Sequence, residues 1–315
     1  MPMSFLKYDI AYGLSLVECP LEQLLSEASG IREKRFGRAI ETCMITNAKC
    51  GMCVNDCRFC SQSVHHQTQI TVYPLHESDR LKNEAEAAAN SGAMYFGIVT
   101  SGAAVDQREL ERIAESVEAV SRSGTIGMCG SLGQLDDTAL RKLKAAGLSR
   151  YHHNLETSES FYPQICSTQS WQSRYDTVRR ALDSGLQVCS GALFGMGESW
   201  RDRVELALTL RDLGVTSVPI NFLHAHPGTP LADQPPLAAE DALRIIAIFR
   251  HLLPETSLRV CGGRPKILAD MQHLIFVAGA DALMTGNYLT TTGITPETDH
   301  QIIKKQGFTL RRSKK

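Results

Sequence analysis

Eight short apolar runs alternate along this chain with amphipathic stretches, and this alternation is the strongest constraint on its fold. The runs predict strands near residues 40–46, 94–99, 125–129, 149–155, 187–191, 216–221, 257–261 and 282–285. The stretches between them predict seven helices, near residues 78–91, 107–122, 136–146, 171–184, 201–213, 239–252 and 266–278. Repeated strand–helix units without a Pro/Gly/Ser-rich linker favour an α/β fold, one closed (β/α)8 barrel of the TIM type. An open doubly wound sheet is the alternative.

The length of 315 residues accommodates one such barrel with extensions at its ends. We expect a helical extension over residues 1–37, the barrel over 38–300 and a polar, basic, solvated tail over 301–315. In a barrel of this type the chemistry gathers where the strands end. The predicted strand ends carry unusual side chains, namely Cys129, Asn154, Cys189, Asn221 and Cys261.

The composition indicates an ordinary globular protein. Lys and Arg number 33 against 34 Asp and Glu, so the charge balance does not suggest a nucleic-acid or membrane surface. The longest apolar stretch, residues 274–284, is interrupted by Asp281 and is shorter than the roughly 20 residues of a membrane-spanning helix. The first residues lack the pattern of a secretory signal peptide, so we expect a cytoplasmic location.

Cysteine is concentrated in one segment: five of the 10 cysteines lie within residues 43–60. In a reducing compartment this pattern indicates metal binding rather than disulfides. Cys53, Cys57 and Cys60 follow CxxxCxxC spacing, which allows three thiolates to hold three irons of a [4Fe–4S] cluster while the fourth iron stays open. If Cys50 takes part, the alternatives are a closed four-cysteine cluster or a zinc site, although zinc knuckles are normally farther apart.

The cysteine spacing, with Phe59 before the last cysteine, resembles the cluster loop of radical S-adenosylmethionine (SAM) enzymes. Within that superfamily the chain resembles the biotin synthase family over residues 35–310. The similar segments are KCGMCVNDCRFCSQS (49–63), YHHNLETS (151–158), CSGALFGMGE (189–198), VPINFLHAHPGTPL (218–231) and LRVCGGRP (258–265).

The resemblance implies a radical reaction rather than acid–base catalysis, so no side chain is assigned as a catalytic acid, base or nucleophile. SAM would chelate the open iron and be cleaved to a 5′-deoxyadenosyl radical, which abstracts hydrogen from dethiobiotin. Sulfur would come from a second, auxiliary iron–sulfur cluster. The partners implied are an electron donor such as flavodoxin or ferredoxin and a second copy of the chain in a homodimer.

The auxiliary site departs from the family pattern, which is a [2Fe–2S] cluster held by three cysteines and an arginine. The first cysteine falls at Gly97, which cannot ligate iron, and the other positions fall at Cys129, Cys189 and Arg259. Two further cysteines stand on predicted strands, at Cys43 and Cys261. We therefore expect an all-cysteine cluster near Arg259, held by Cys43, Cys129, Cys189 and Cys261. Four thiolates suit a four-iron cluster with an additional sulfide as a candidate sulfur donor, and a [2Fe–2S] cluster is the alternative.

The resemblance also suggests contacts to the two substrates. Strand alternation places His152, Asn154 and Glu156 on one face. In the family two asparagines on this strand and a third at Asn221 hold the ureido ring of dethiobiotin, so His152 replaces one of three. The expected SAM contacts are Phe59, Thr100, Ser101, Glu156, Gly195 and Gly197.

Two other functions remain open. One is a radical SAM enzyme acting on a different small molecule, like a methylornithine synthase or a hydrogenase maturase. The other is a non-catalytic iron–sulfur or zinc protein. We interpret Cys19 and Cys166 as structural, and His65, His66, His224 and His226 as loop residues.

Overall fold

A computed structural model describes residues 8–311, and its centre is a closed barrel of parallel strands. The strands are β1 (Ala39–Lys49), β2 (Tyr95–Thr100), β3 (Gly127–Ser131), β4 (Leu148–His152), β5 (Gln187–Cys189), β6 (Ala192–Phe194), β7 (Ser217–Phe222), β8 (Ser257–Val260), β9 (Ala282–Met284) and β10 (Thr309–Leu310). The barrel closes because β9 pairs with β1 in parallel. β5 and β6 together form the fifth of the eight barrel strands, and both pair with β7. The predicted (β/α)8 fold is confirmed.

Helices surround the barrel, as the alternation predicts. They are α1 (Ile10–Ser15), α2 (Leu21–Phe36), α3 (Ser78–Asn90), α4 (Gln107–Ser121), α5 (Asp137–Ala145), α6 (Trp171–Asp183), α7 (Trp200–Leu213), α8 (Ala239–Leu252), α9 (Arg264–Leu268) and α10 (Pro296–Lys305). The single helix expected over 266–278 is instead α9 followed by a 3-10 segment, Ala269–Ile275. Ala269 causes the break, because its φ of 42° lies in the left-handed region. Among residues 8–311, no helix is long and apolar enough to cross a membrane.

The N-terminal helices pack on the outside of the barrel. α1 contacts α7, where a Cβ atom on Gly13 would lie 2.5 Å from Val204 Cγ1. α2 contacts α8 and buries Leu24 and Ala28. The described part of the expected extension is therefore helical, and residues 1–7 lie outside the described residues.

The C-terminal segment differs from the solvated tail expected over 301–315. Residues up to Lys305 continue α10, and β10 pairs with β1 in parallel outside the barrel. Ile303 and Phe308 are buried, and this apolar burial holds the segment against the fold. The expectation of a tail is wrong for residues 301–311, and residues 312–315 lie outside the described part of the chain.

Candidate functional site

A cavity of about 420 Å³ runs from the barrel interior to the loops that follow the strands. Seven of the cysteines line it: Cys43, Cys53, Cys57, Cys60, Cys129, Cys189 and Cys261. These are the seven that the sequence assigns to two clusters. Both proposed cysteine sets therefore face one cavity.

The cluster loop leaves β1 and holds its three cysteines by backbone hydrogen bonds. The Cys53 N–H donates to the Gln62 carbonyl at 3.1 Å, and the Cys60 N–H donates to the Cys57 carbonyl at 2.9 Å. Cys50 does not line the cavity; it is buried and pairs through its backbone with Tyr73. This arrangement favours three facing thiolates over the four-cysteine alternative.

Asp56 joins the cluster loop to the segment before α6 by hydrogen bonds. Its Oδ1 accepts hydrogen bonds from the backbone N–H groups of Ser167 and Thr168, at 2.9 and 3.1 Å. The Ser167 hydroxyl donates to Oδ2. Burial alone would raise the pKa of Asp56, but these hydrogen bonds hold it well below its usual range.

Cys57 lies beside two residues that the sequence analysis did not assign to the site. The Cys166 Sγ atom is 3.7 Å from the Cys57 Sγ atom, although Cys166 is interpreted above as structural without a partner. Arg174 Nη2 is 4.0 Å from the same sulfur. Both residues are more than 100 positions away in sequence, so no local motif signals the contact.

Arg174 connects the cluster loop to the end of β4. Its Nε donates to the Tyr162 hydroxyl at 2.7 Å and its Nη1 donates to the Asn154 carbonyl at 3.0 Å. Nη1 also lies 3.6 Å from Glu156 Oε1. Burial raises the pKa of Glu156, and the Arg174 charge opposes this. Glu156 has a φ of 70°, a left-handed conformation rarely adopted by non-glycine residues.

The other four cysteines lie deeper in the barrel. Cys43, Cys189 and Cys261 are buried, and Cys129 is half-buried. Gly97 pairs in register with Cys129, and a Cβ atom on Gly97 would lie 3.8 Å from the Cys129 Cβ. A cysteine at position 97 would thus stand beside Cys129, so the absence of a side chain there removes one thiol from this end of the site.

The electrostatic surroundings of these four thiols differ. Burial raises the pKa of Cys129 to about 12 and raises that of Cys261 far above its usual range. For Cys189, burial opposes ionisation, but a hydrogen bond from His152 and nearby positive charges lower the pKa to about 6. A thiolate is therefore most readily formed at Cys189.

Three buried charged residues underlie the four cysteines. The Glu41 carboxylate accepts from Arg150 Nη1 at 3.2 Å and pairs with Arg259 Nη2. Arg259 Nη1 donates to the Cys189 sulfur at 3.6 Å. The position of Arg259 near the auxiliary site is predictable from the sequence, but those of Glu41 and Arg150 are not, because their contact joins strands 109 residues apart.

The expected substrate residues His152, Asn154 and Asn221 all line the cavity. Asn154 Oδ1 accepts from the Gly191 N–H at 3.1 Å, and Asn221 Oδ1 accepts from the Gly262 N–H at 3.0 Å. These bonds fix the orientation of both amides. His224 and His226, interpreted above as loop residues, also line the cavity.

Four of the expected SAM contacts line the cavity: Phe59, Thr100, Ser101 and Glu156. Gly195 and Gly197 are not among its lining residues. The Gly195 N–H instead donates to Glu198 Oε1 at 3.0 Å, within a turn in which both glycines have positive φ. The structure therefore does not bring this turn together with the other expected contacts.

Within residues 8–311, no three His, Cys, Asp or Glu side chains lie close enough to share one metal ion. A four-iron cluster does not require such closeness, because each thiolate binds a different iron atom. Soft thiolate donors facing one cavity fit iron–sulfur clusters at both cysteine sets.

Comparisons with known families agree with this arrangement. A profile of the Radical SAM superfamily matches residues 49–210, and one of the Biotin and Thiamin Synthesis associated domain matches residues 219–309. A crystal structure of methylornithine synthase superposes with a TM-score of 0.84 at 20% identity, covering 97% of this chain and 94% of that chain. A hydrogenase maturase superposes with a TM-score of 0.83 at 16% identity, covering 98% and 73%. At these identities the two structures support the fold alone.

Sequence relatives give the family. Biotin synthase of Desulfovibrio desulfuricans is 49% identical over 283 residues, which cover 90% of each chain. Biotin synthase of Geobacter sulfurreducens is 44% identical over 310 residues, covering 98% of this chain and 94% of that protein. The chain therefore belongs to the biotin synthase family of radical SAM enzymes.

Proposed function

We propose that the chain forms biotin by inserting sulfur into dethiobiotin, with SAM as the source of the radical that abstracts hydrogen. The observation that carries this proposal is the convergence of two separate cysteine sets on one cavity. The cleavage of SAM needs only the first set. The second set, deeper in the barrel, supports a sulfur donor beside the substrate.

Cys53, Cys57 and Cys60 are the proposed ligands of the first cluster. When bound there, a [4Fe–4S] cluster supplies the electron that cleaves SAM to methionine and a 5′-deoxyadenosyl radical. The Asp56 hydrogen bonds fix the loop that carries these thiolates. Arg174 lies near the Cys57 sulfur and places positive charge beside it.

Phe59, Thr100, Ser101 and Glu156 are the proposed SAM contacts at the mouth of the cavity, and the Gly195 and Gly197 turn is a more distant candidate. Glu156 is held next to Arg174, where its carboxylate would accept hydrogen bonds from the hydroxyl groups of a bound ribose. The Ser101 hydroxyl donates to the Gly51 carbonyl at 2.6 Å, which joins this loop to the cluster loop. A reactive radical requires a site from which water is excluded, and bound SAM and dethiobiotin would fill much of this cavity.

Cys43, Cys129, Cys189 and Cys261 are the proposed ligands of the auxiliary cluster, with Arg259 near it. Such a cluster supplies the sulfur atom, and the four thiolates favour a four-iron form over a [2Fe–2S] form. The empty side-chain position at Gly97 supports a ligand set that differs from three cysteines and an arginine.

His152, Asn154 and Asn221 are the proposed contacts to the ureido ring of dethiobiotin. Amide groups donate and accept hydrogen bonds, as the ring requires, and a neutral imidazole does both with fixed roles. Asn154 and Asn221 are held by backbone hydrogen bonds, so they would meet the ring without reorienting.

We also propose a flavodoxin- or ferredoxin-type electron donor, a homodimer, a cytoplasmic location and a barrel unit near residues 38–300. These proposals rest on the family relationship and the sequence. Neither nucleic acid nor a membrane is a proposed partner.

The test is an anaerobic incubation of iron- and sulfide-reconstituted protein with SAM, a reductant and dethiobiotin, followed by mass spectrometry. We expect both 5′-deoxyadenosine and biotin. Deoxyadenosine without biotin would move the reaction to another small molecule, and neither product from protein with an intact cluster would indicate a non-catalytic iron–sulfur protein.

A second experiment tests the auxiliary ligands in protein whose Cys53, Cys57 and Cys60 are replaced by alanine. We expect this protein to retain iron and sulfide at the auxiliary site, and Cys261→Ala to remove them. Unchanged iron and sulfide after Cys261→Ala would show that the ligand assignment is wrong. Cys19→Ala is the matched control, because this half-buried thiol lies on the outer helical extension.

A further inference from the structure

The buried ion group of Glu41, Arg150 and Arg259 lies directly beneath the four deeper cysteines. Glu41 on β1 and Arg259 on β8 both pair in register with Ala282 of the intervening β9. The small side chain of Ala282 leaves room for the two charged groups to meet across it. Arg150 reaches the same carboxylate from β4, on the opposite wall of the barrel.

Each member of this group is next to a proposed cluster ligand. Glu41 precedes Cys43 by two residues, and Arg259 precedes Cys261 by two, so each shares a strand face with its cysteine. Arg150 pairs in register with Cys129. The ion group therefore lies beneath the proposed auxiliary cluster site on three strands, β1, β4 and β8.

The two arginines face the cavity, whereas Glu41 does not. Arg150 and Arg259 are among the lining residues, and Glu41 lies behind them. The Nε atoms of both arginines are buried without a hydrogen-bond partner in the described structure. A buried donor without a partner is costly, and the sulfur atoms of a cluster are the acceptors that this cavity would offer.

The charges do not cancel within the group. Arg150 and Arg259 both pair with the single carboxylate of Glu41, and the half-buried Arg311 lies 3.9 Å from its Oε2, so positive charge exceeds negative charge within the group. A buried excess charge requires compensation, and an anionic cluster held by thiolates supplies it.

We propose that the buried positive charges of Arg150 and Arg259 set the reduction potential of the auxiliary cluster. Glu41 is the positioning residue that holds both arginines in place. The inference rests on the proposed function, because it requires an auxiliary cluster at Cys43, Cys129, Cys189 and Cys261. Net charge and hydrogen bonds to sulfur are established determinants of iron–sulfur potentials. In this arrangement Arg259 donates to a ligand sulfur and pairs with Glu41, and it is not itself a ligand.

The experiment uses full-length protein whose Cys53, Cys57 and Cys60 are replaced by alanine, so that only the auxiliary cluster is present. Its reduction potential is measured by anaerobic redox titration followed by electron paramagnetic resonance and visible absorbance. The variants are Glu41→Gln, Glu41→Asp and Arg150→Gln. Glu198→Gln is the control, because Glu198 and Arg203 form a buried ion pair outside the cavity lining.

We expect opposite shifts from the two charge removals. Glu41→Gln removes a negative charge and raises the potential, whereas Arg150→Gln removes a positive charge and lowers it. Glu41→Asp keeps the charge and stays nearer the parent value, and Glu198→Gln leaves the potential unchanged. Structural damage alone would not produce shifts of opposite sign.

Two failures are distinguishable. If the parent protein retains no auxiliary iron, the proposed cluster site is wrong and the two arginines have no cluster to act on. If the cluster is present but its potential does not shift, or shifts in the same direction in both charge variants, only the present inference is overturned. If Glu41→Gln does not fold, Arg150→Gln and Glu41→Asp are compared instead. A lower potential in Arg150→Gln with a near-parent potential in Glu41→Asp supports the inference, and equal potentials in the two variants overturn it.

Discussion

The sulfur atoms of Cys57 and Cys166 lie 3.7 Å apart, although the two residues are separated by 109 positions in the chain. Cys166 also approaches Asp56 Oδ1, at 3.3 Å. The hydrogen bond between the thiols raises the pKa of Cys57 and lowers that of Cys166 to about 6. Cys166 is thus a second thiol beside a proposed cluster ligand.

We expect Cys166→Ser to retain the SAM-binding cluster, because Cys53, Cys57 and Cys60 supply its three thiolates. In metal-free protein, oxidation of the Cys57 and Cys166 thiols by dioxygen is expected to give a disulfide, with dioxygen reduced to hydrogen peroxide. Iron analysis and non-reducing peptide mapping check these two outcomes. Loss of cluster iron in Cys166→Ser would instead make Cys166 a ligand.

Cys50 provides a prediction that separates an open cluster from a closed one. Its backbone pairs with Tyr73 and its side chain does not line the cavity, so Cys50→Ala is expected to retain cluster iron and the spectral change on adding SAM. Cys53→Ala, the matched control within the same loop, is expected to lose both. Electron paramagnetic resonance of the reduced proteins, with and without SAM, makes the comparison. A loss of iron in Cys50→Ala would support the four-cysteine alternative.

The barrel could be predicted because buried parallel strands are nearly continuous apolar runs, and helices between them are amphipathic. The prediction from apolar runs is incomplete at the fifth barrel strand, which is divided into β5 and β6. A Cβ on Gly191 would lie 2.0 Å from the Pro219 carbonyl oxygen, so this glycine allows the connection between β5 and β6 to approach the backbone of β7 closely. A single apolar run at 187–191 does not reveal that the barrel strand continues beyond it as β6.

The candidate site could be predicted only where its residues form local motifs. The cluster cysteines lie within eight residues of one another, and strand alternation relates Arg259 to Cys261. Glu41 and Arg259 are 218 residues apart, and their pairing depends on the closure of the barrel. Charges on predicted strands normally indicate exposure, so the sequence gives no signal that these groups are buried together.

His152 carries the prediction on substrate recognition. The loss of one hydrogen bond to the ureido ring costs about 0.5–1.5 kcal/mol, so His152→Ala should raise the half-saturating dethiobiotin concentration roughly 2- to 10-fold. His152→Asn should restore most of the affinity. Auxiliary iron is measured first in each variant, because His152 also pairs in register with Cys189. His273→Asn, on the outer 3-10 segment, is the control, and an unchanged concentration dependence in His152→Ala would contradict the assignment.

His153 gives a prediction on stability against pH. Burial, with the charge of Arg174, lowers its pKa well below the usual value, and its Nε2 has no hydrogen-bond partner within the described structure. In the unfolded chain a histidine titrates near pH 6.5, so as pH falls below that value the unfolded state takes up a proton that the folded state does not. The free energy of unfolding therefore decreases as pH falls. Between pH 7.5 and 5.5 this histidine accounts for about 1.4 kcal/mol of the decrease, which His153→Phe should remove. Anaerobic urea unfolding of both proteins at the two pH values measures the difference, and an equal decrease in both would show that His153 titrates in the folded protein as it does in the unfolded chain.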